Sequence, residues 1–205
     1  MRFYTMTSLL LFLLSTSLFA QNRSMNVEHL SSGNSYFNVE VNDAGLLKGK
    51  YPGWCADWSF PIEDGVQYNS HFWSSLASNI PGDVVNKPEN LDEVNWLINQ
   101  KFVGKLSPSG LGRYTIGDVQ LAIWTLIDDN FDDSTIGDYS QARVDELVDR
   151  ALRDGANYVP NCRQLVGIIL VPTHPESGNR AQSTIILVPR YKFRKCVVPD
   201  NDLNL

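Results

Sequence analysis

Long hydrophobic runs are absent from this sequence beyond its first twenty residues, and basic side chains are few. The 205 residues include 17 lysines and arginines against 23 aspartates and glutamates, which gives a formal net charge of −6. Nucleic acids and anionic membranes are bound through basic faces, so this charge balance argues against both as partners. The hydrophobic content of 43% excludes a disordered or collagen-like chain and predicts one globular domain.

The familiar cofactor motifs are missing as well. The sequence contains no zinc-type cysteine and histidine spacing, no P-loop and no dinucleotide fingerprint. The acidic run at residues 128–133 begins like a calcium loop, but Asp133 stands where that loop needs glycine and Tyr139 where it needs glutamate. We therefore expect neither a cofactor nor a metal site.

The N-terminus predicts export. Residues 1–20 contain one charged side chain, Arg2, followed by an apolar stretch at 9–14 and a more polar segment that ends on Ala20. This is the pattern of a signal peptide, and the apolar run is shorter than the roughly 20 residues that a membrane span needs. We expect cleavage after Ala20 and a single secreted domain of residues 21–205, free or held at the cell surface by another protein. Loss of Arg2 gives this domain a net charge of −7.

The sequence has three cysteines, an odd number for an exported protein. Disulfides persist outside the cell, and Cys162 and Cys196 flank a predicted hairpin whose ends a disulfide between them would join. Cys55 then remains as the unpaired residue. It is either a buried thiol that packs as a small hydrophobic side chain or a group with its own chemistry.

Hydrophobic periodicity predicts an α+β domain. Helical spacing occurs at residues 91–102, with Asn90 available as the N-cap, and again at 117–127 and 139–154. Strand patterns occur at residues 36–47, 165–171, 184–188 and 191–198. Residues 51–62, around Cys55, are irregular or form a short strand. We expect sandwich-like or barrel-like strands at both ends of the chain and about three helices in the middle.

The second predicted helix carries a glutamine on an apolar surface. Only four of its side chains are left to face water, and they are Asp118, Leu121, Thr125 and Asp128. Gln120 lies in the first turn, one turn before Trp124, so it belongs to the buried part of the helix. A buried carboxamide without partners costs about 1–3 kcal/mol. Gln120 must therefore be hydrogen-bonded, or it has been chemically consumed.

Two short motifs resemble those of the thioester domains of secreted and surface adhesins. One is the Gly-Trp-Cys-Ala-Asp segment around Cys55, and the other is the Val-Gln-Leu-Ala-Ile-Trp segment from Val119 to Trp124. That family joins an aromatic-Cys element to a downstream Thr-Gln-x-Ala-Ile-Trp element by a thioester between the cysteine and glutamine side chains. Val119 stands where the family usually has threonine. The resemblance implies a thioester between Cys55 and Gln120.

The resemblance also implies a mechanism. Cys55 attacks the Gln120 carboxamide, ammonia leaves, and the activated acyl group survives while water is excluded. An amine of a surface partner, for which we expect a lysine, then displaces the sulfur, and Gln120 retains the partner as an isopeptide. Such nucleophilic chemistry runs once per molecule, so we expect no turnover enzyme. The candidate walls of the site are Trp54, Trp58 and Trp124, and His71 is the candidate base.

Two alternatives remain open from the sequence. The five tryptophans and eight tyrosines could serve a secreted module that binds carbohydrate or protein without a covalent bond. Cys55 could also be the nucleophile of a cysteine hydrolase, with His71 or His174 as its partner. A hydrolase thiol reacts with alkylating agents in the native protein, whereas a thioester-bound sulfur does not. Substitution of Gln120 should abolish covalent capture and leave non-covalent binding intact.

Overall fold

Six antiparallel strands close into a barrel in the computed structural model, which describes residues 23–30, 35–42, 44–128, 131–132, 134 and 136–192. The strands are β1 (Ser24–His29), β2 (Phe37–Asn42), β3 (Gly49–Cys55), β4 (Tyr68–Ser74), β5 (Leu165–Thr173) and β6 (Thr184–Pro189). Around the barrel they follow the order β1-β2-β3-β6-β5-β4. The predicted signal peptide at residues 1–20 lies outside the described residues. None of the helices in the described part of the chain is long and apolar enough to cross a membrane.

Three helices connect β4 to β5. They are α1 (Leu91–Gln100), α2 (Ile116–Ile127) and α3 (Gln141–Asp154). The predicted mixed α+β class with a helical middle is therefore confirmed. Strands β1 and β4 complete the barrel, although the sequence patterns did not single them out.

Alternating side chains of β2 form part of the barrel interior. Phe37, Val39 and Val41 are fully buried, because every second residue of a strand points to the same side of the sheet. In the antiparallel register with β1, Val39 lies opposite Val27 and Val41 lies opposite Met25. These pairs bury apolar surface from two strands at once, which fixes the register.

Strands β5 and β6 form the predicted hairpin, with Ile168 opposite Ile186. Helix α1 lies against β5 and is tied to it by side-chain amides. The Asn99 Oδ1 atom accepts the Leu165 N–H at 2.9 Å, and the Asn99 Nδ2 atom donates to the Leu165 carbonyl at 2.8 Å. The helix thus covers a strand that is buried along most of its length.

Helix α2 begins with a capping box that was not predicted. The Thr115 hydroxyl accepts the Asp118 N–H, and the Asp118 carboxylate accepts the Thr115 N–H in return. Asp118 was expected to face water, but it is fully buried because it also pairs with Arg143 of α3, with Nε and Oδ2 2.5 Å apart. Leu121 and Asp128 are buried too, and of the four expected solvent-facing residues only Thr125 is exposed.

Two further local expectations were wrong. Asn90 does not cap α1 with its side chain, which instead donates to the Leu126 carbonyl at 2.7 Å and ties α1 to the end of α2. The expected last strand at residues 191–198 does not begin where predicted, because Arg190–Lys192 form a 3-10 turn. Residues 193–198 lie outside the described residues.

Candidate functional site

The fold brings Cys55, the last residue of β3, against Gln120 in the first turns of α2. The Cys55 N–H donates to the Gln120 Oε1 atom at 2.8 Å, and the Gln120 Nε2 atom donates to the Cys55 carbonyl at 2.9 Å. Cys55 is 1% exposed and Gln120 is 0% exposed. Two residues that are 65 positions apart in the chain therefore share a buried, doubly hydrogen-bonded contact.

A similar contact occurs at Asn99, whose amide bridges α1 to the backbone of Leu165 through two hydrogen bonds. An amide that spans a helix and a strand is therefore also a structural device in this fold. What distinguishes Gln120 is the residue that it contacts, since Cys55 is a free thiol and leucine is inert.

The two hydrogen bonds fix the orientation of the Gln120 carboxamide relative to the backbone of Cys55. The Cys55 N–H already donates to Oε1, the atom on which negative charge develops when a nucleophile adds to the carbonyl. A donor that is in place before the reaction stabilises that charge without reorganisation. The arrangement can therefore support acyl transfer from position 120.

Burial keeps Cys55 in its thiol form. Two causes raise the pKa of the Cys55 thiol well above its ordinary value. The larger cause is burial, and the smaller one is the nearby Asp57 carboxylate. A reactive cysteine nucleophile usually has a lowered pKa and a charged or histidine neighbour. The raised pKa of Cys55 differs from the lowered pKa that is usual for a hydrolase cysteine.

A surface cavity of about 450 Å³, here called the Cys55 cavity, leads from solvent to Cys55. Its lining includes His29, Tyr36, Cys55, Trp58, Phe60 and Trp124. Trp58 meets Trp124 edge-on with ring centroids 5.7 Å apart, and Phe131 stacks on Trp124 at the same centroid distance. Two of the three predicted wall tryptophans therefore lie beside the cysteine.

Hydrogen bonds to the backbone hold the segment that carries Trp58. The Trp58 N–H donates to Asp128 Oδ2 at 3.1 Å. Asp57 Oδ2 accepts the Ser183 N–H at 3.0 Å and pairs with Arg180 at 3.4 Å. The segment that carries Trp58 is thus attached to the end of α2 and to the segment before β6.

Trp54 and His71 lie away from the Cys55 cavity. Successive residues of a strand point to opposite faces, so Trp54 turns away from Cys55 and lines a separate apolar cavity of about 280 Å³ with Leu97 and Val119. His71 is exposed on β4, which pairs with β1 and β5 and is separated from β3 by two strands in either direction around the barrel. Neither Trp54 nor His71 is among the described residues that line the Cys55 cavity.

His29 and Tyr36 line the cavity and were not singled out from the sequence. His29 ends β1, and its Nδ1 atom lies 2.5 Å from Asp64 Oδ1. Burial and then the nearby Cys55 raise the pKa of Tyr36. No sequence pattern indicates either residue, because the cavity combines side chains from several separate segments.

The predicted disulfide partner Cys196 lies outside the described residues. Cys162 is half-buried in the turn before β5. The pairing of Cys162 with Cys196 therefore stays a prediction, while Cys55 is free.

Comparisons with known proteins give a distant structural match. No protein-family model matches the chain, and no curated protein matches it in sequence. The N-terminal thioester domain of the fibronectin-binding protein SfbI from Streptococcus pyogenes aligns over 82% of this chain and 95% of its own, with 16% identity and a TM-score of 0.40. At this similarity, the chemistry of the site has to be judged from its own contacts.

Proposed function

We propose that this chain is a secreted, adhesin-like protein that forms an internal thioester between Cys55 and Gln120 and then captures an amine-bearing partner covalently. The observation that carries the proposal is the buried contact in which the Gln120 carboxamide exchanges two hydrogen bonds with the backbone of Cys55. It holds an acyl group beside the residue that carries the free thiol. The motif resemblance supports the same pairing, and the predicted signal peptide supports secretion.

Formation of the bond leaves no charge in the site. The Cys55 sulfur attacks the Gln120 carbonyl carbon, the C–N bond breaks, and the thiol proton leaves with the nitrogen as ammonia. Both reactants and both products are neutral, so burial does not oppose the product although it disfavours the thiolate. Fixed orientation within one fold replaces a bimolecular encounter and lowers the barrier.

The Cys55 cavity suits an amine as the second reactant. Ammonium groups are attracted to aromatic faces, and the rings of Tyr36, Trp58 and Trp124 line the cavity. The acidic net charge of the chain also attracts cationic partners. We propose a lysine of a surface protein, which displaces Cys55 and stays bound to position 120 as an isopeptide. Each molecule reacts once, so the protein is not a turnover enzyme.

The intact mass of the purified protein tests the internal bond. We expect a mass lower than that of the mature sequence by one ammonia, after allowance for any disulfide, and both Cys55→Ala and Gln120→Ala should abolish this difference. Asn99→Ala is the matched control, because it removes the other amide contact and should keep the loss of ammonia. A wild-type chain that retains its ammonia and forms no adduct with methylamine would contradict the proposal.

Covalent capture is followed separately with a lysine-containing peptide. The wild-type protein should gain the peptide's mass in a product that survives denaturation, and Gln120→Ala should form no such product. Peptide binding that persists in Gln120→Ala without an adduct would instead support the alternative of a non-covalent binding module.

A further inference from the structure

His29 is the histidine that the fold brings to the Cys55 cavity. The chain has three histidines, and all three are among the described residues. His71 is exposed on β4, and the Nδ1 atom of His174 accepts backbone N–H groups of its own turn. His29 lines the cavity together with Cys55. It is therefore the histidine within reach of a molecule that enters this cavity.

Asp64 holds the imidazole of His29 in one orientation. Asp64 Oδ1 lies 2.5 Å from the Nδ1 atom and also accepts the backbone N–H of His29 at 3.1 Å. Phe37 meets the ring edge-on with centroids 4.6 Å apart. A neutral imidazole whose Nδ1 faces a carboxylate carries its proton there and leaves Nε2 as an acceptor. Within the described residues Nε2 has no hydrogen-bond partner, so it can accept a hydrogen bond or a proton from a molecule in the cavity.

We propose that His29 is the catalytic base of amine capture and that Asp64 is its positioning residue, an inference that rests on the proposed thioester between Cys55 and Gln120. The neutral amine attacks the acyl carbon, and a C–N bond forms. His29 Nε2 accepts a proton from that nitrogen while the C–S bond breaks. The proton then passes to the sulfur, which restores the Cys55 thiol and the neutral imidazole. No group is oxidised or reduced.

The leaving sulfur makes such a base useful. Because burial raises the pKa of the Cys55 thiol, a bare thiolate is a costly product in this site. A base that returns the amine proton to sulfur avoids that charge. Apart from Asp64, the titratable side chain that faces the His29 ring among the described residues is Tyr36. Burial and the nearby Cys55 raise the pKa of Tyr36. A phenol of this kind stays protonated at neutral pH and cannot accept the proton.

The rate of capture of methoxyamine tests the assignment. The nitrogen of methoxyamine is uncharged throughout the neutral range, so the pH dependence of its capture reports on the protein. We expect the wild-type rate to fall as the pH is lowered from about 8 to 5, because a protonated imidazole cannot accept the proton of the amine. His29→Gln should be slower by about 10²- to 10⁴-fold at neutral pH and should lose this dependence. Asp64→Asn should show a smaller loss, and the matched control His71→Gln should keep the wild-type rate and profile.

The intact mass, measured before the probe is added, separates this inference from the proposed function. If His29→Gln has lost ammonia and still captures methoxyamine at the wild-type rate, the assignment of the base is overturned while the thioester stands. If the wild-type protein has not lost ammonia, the proposed function itself fails.

Two further measurements test the assignment if His29→Gln does not fold or does not form the thioester. Added imidazole should restore capture in His29→Gly, because a free base can occupy the emptied space, and an absence of rescue in a folded, thioester-bearing His29→Gly would overturn the assignment. A wild-type rate that is independent of pH over the same range would overturn it without any variant.

Discussion

Gln120 and Asn99 show how one kind of contact can have two outcomes at the scale of the residue. Each amide bridges a helix to the backbone of a barrel strand through two hydrogen bonds. Leu165 offers the Asn99 amide nothing that can react, so that contact only holds α1 against β5. Cys55 adds a thiol to the same geometry. The proposed chemistry therefore depends on a single side chain placed at a contact that is otherwise structural.

Trp58 lines the Cys55 cavity, and its loss should expose the proposed thioester to water. Its edge-on contact with Trp124 is of a kind worth about 0.5–1.5 kcal/mol, and a barrier lower by that amount speeds hydrolysis by up to about tenfold. We expect Trp58→Ala to form the thioester and then to lose it faster, measured as the gain of one water in intact mass over time. Trp73→Ala, which removes a half-buried ring from β4, is the matched control. Equal lifetimes in Trp58→Ala and the wild type would show that this ring gives no protection.

The residues of the site differ in how far the sequence reveals them. Cys55 and Gln120 stand out because a cysteine without an obvious partner and a glutamine on an apolar helix both need an explanation. The direction of Trp54 was predicted wrongly, since glycine and proline in Gly49–Cys55 hide the alternation of a strand. His29 reaches the cavity because β1 pairs with β2 and β2 pairs with β3, an arrangement that leaves no local pattern in the sequence.

At the scale of the element, we expect Glu93, a residue of α1, to make the stability of the fold sensitive to pH. The side chain is buried, and its Oε2 atom has no hydrogen-bond partner within the described residues. Burial, with a smaller contribution from Asp92, raises the pKa of Glu93 to about 7. The folded state therefore holds a proton that the unfolded chain releases above its ordinary pKa of 4.5. The stability that Glu93 contributes is present in acid and is lost as the pH rises toward 7.

Glu93→Gln tests the direction of this pH dependence of stability, because a neutral amide of the same shape has no acidic proton to lose. We expect the variant and the parent to have similar free energies of unfolding near pH 4. Above pH 7 the variant should be more stable by roughly 2–3 kcal/mol. Urea denaturation at a series of pH values measures the difference, and Glu89→Gln, at an exposed position just before α1, should keep the parent's pH dependence. A difference that stays constant with pH would exclude Glu93 as its source.

The helices were predicted to within about two residues at each end, but the contacts of their terminal side chains were not predicted, for a physical reason. The apolar periodicity of α1, α2 and α3 is local and repeats several times in each helix, so it survives any tertiary arrangement. The contacts of terminal side chains depend on partners from elsewhere in the chain. Asp118 is buried because Arg143 and Ser140 reach it from α3 and the segment before it, and Asn90 is drawn away to the end of α2.

The closed barrel belongs to the scale of the whole molecule and could not be derived from local patterns. Closure depends on β1 meeting β4, a pairing that spans only Ser24 with Asn69 and Met25 with Tyr68. The contact between β3 and β6 joins residues about 130 positions apart. Such pairings leave no periodic signal, which explains why the mixed α+β class could be predicted while the strand order could not.

The proposed thioester would also stabilise the whole molecule as a cross-link. A bond between Cys55 and Gln120 closes a loop of 65 residues, and the chain-entropy relation used for disulfides assigns about 4 kcal/mol to a loop of this size. Methylamine opens the bond while both side chains remain in the site. We therefore expect the free energy of unfolding in urea to fall by up to about 4 kcal/mol after methylamine treatment of the wild type. Cys55→Ala lacks the cross-link and should unfold identically with and without methylamine. An unchanged unfolding midpoint in a wild-type sample whose mass shows complete opening would mean that the bond does not constrain the unfolded chain.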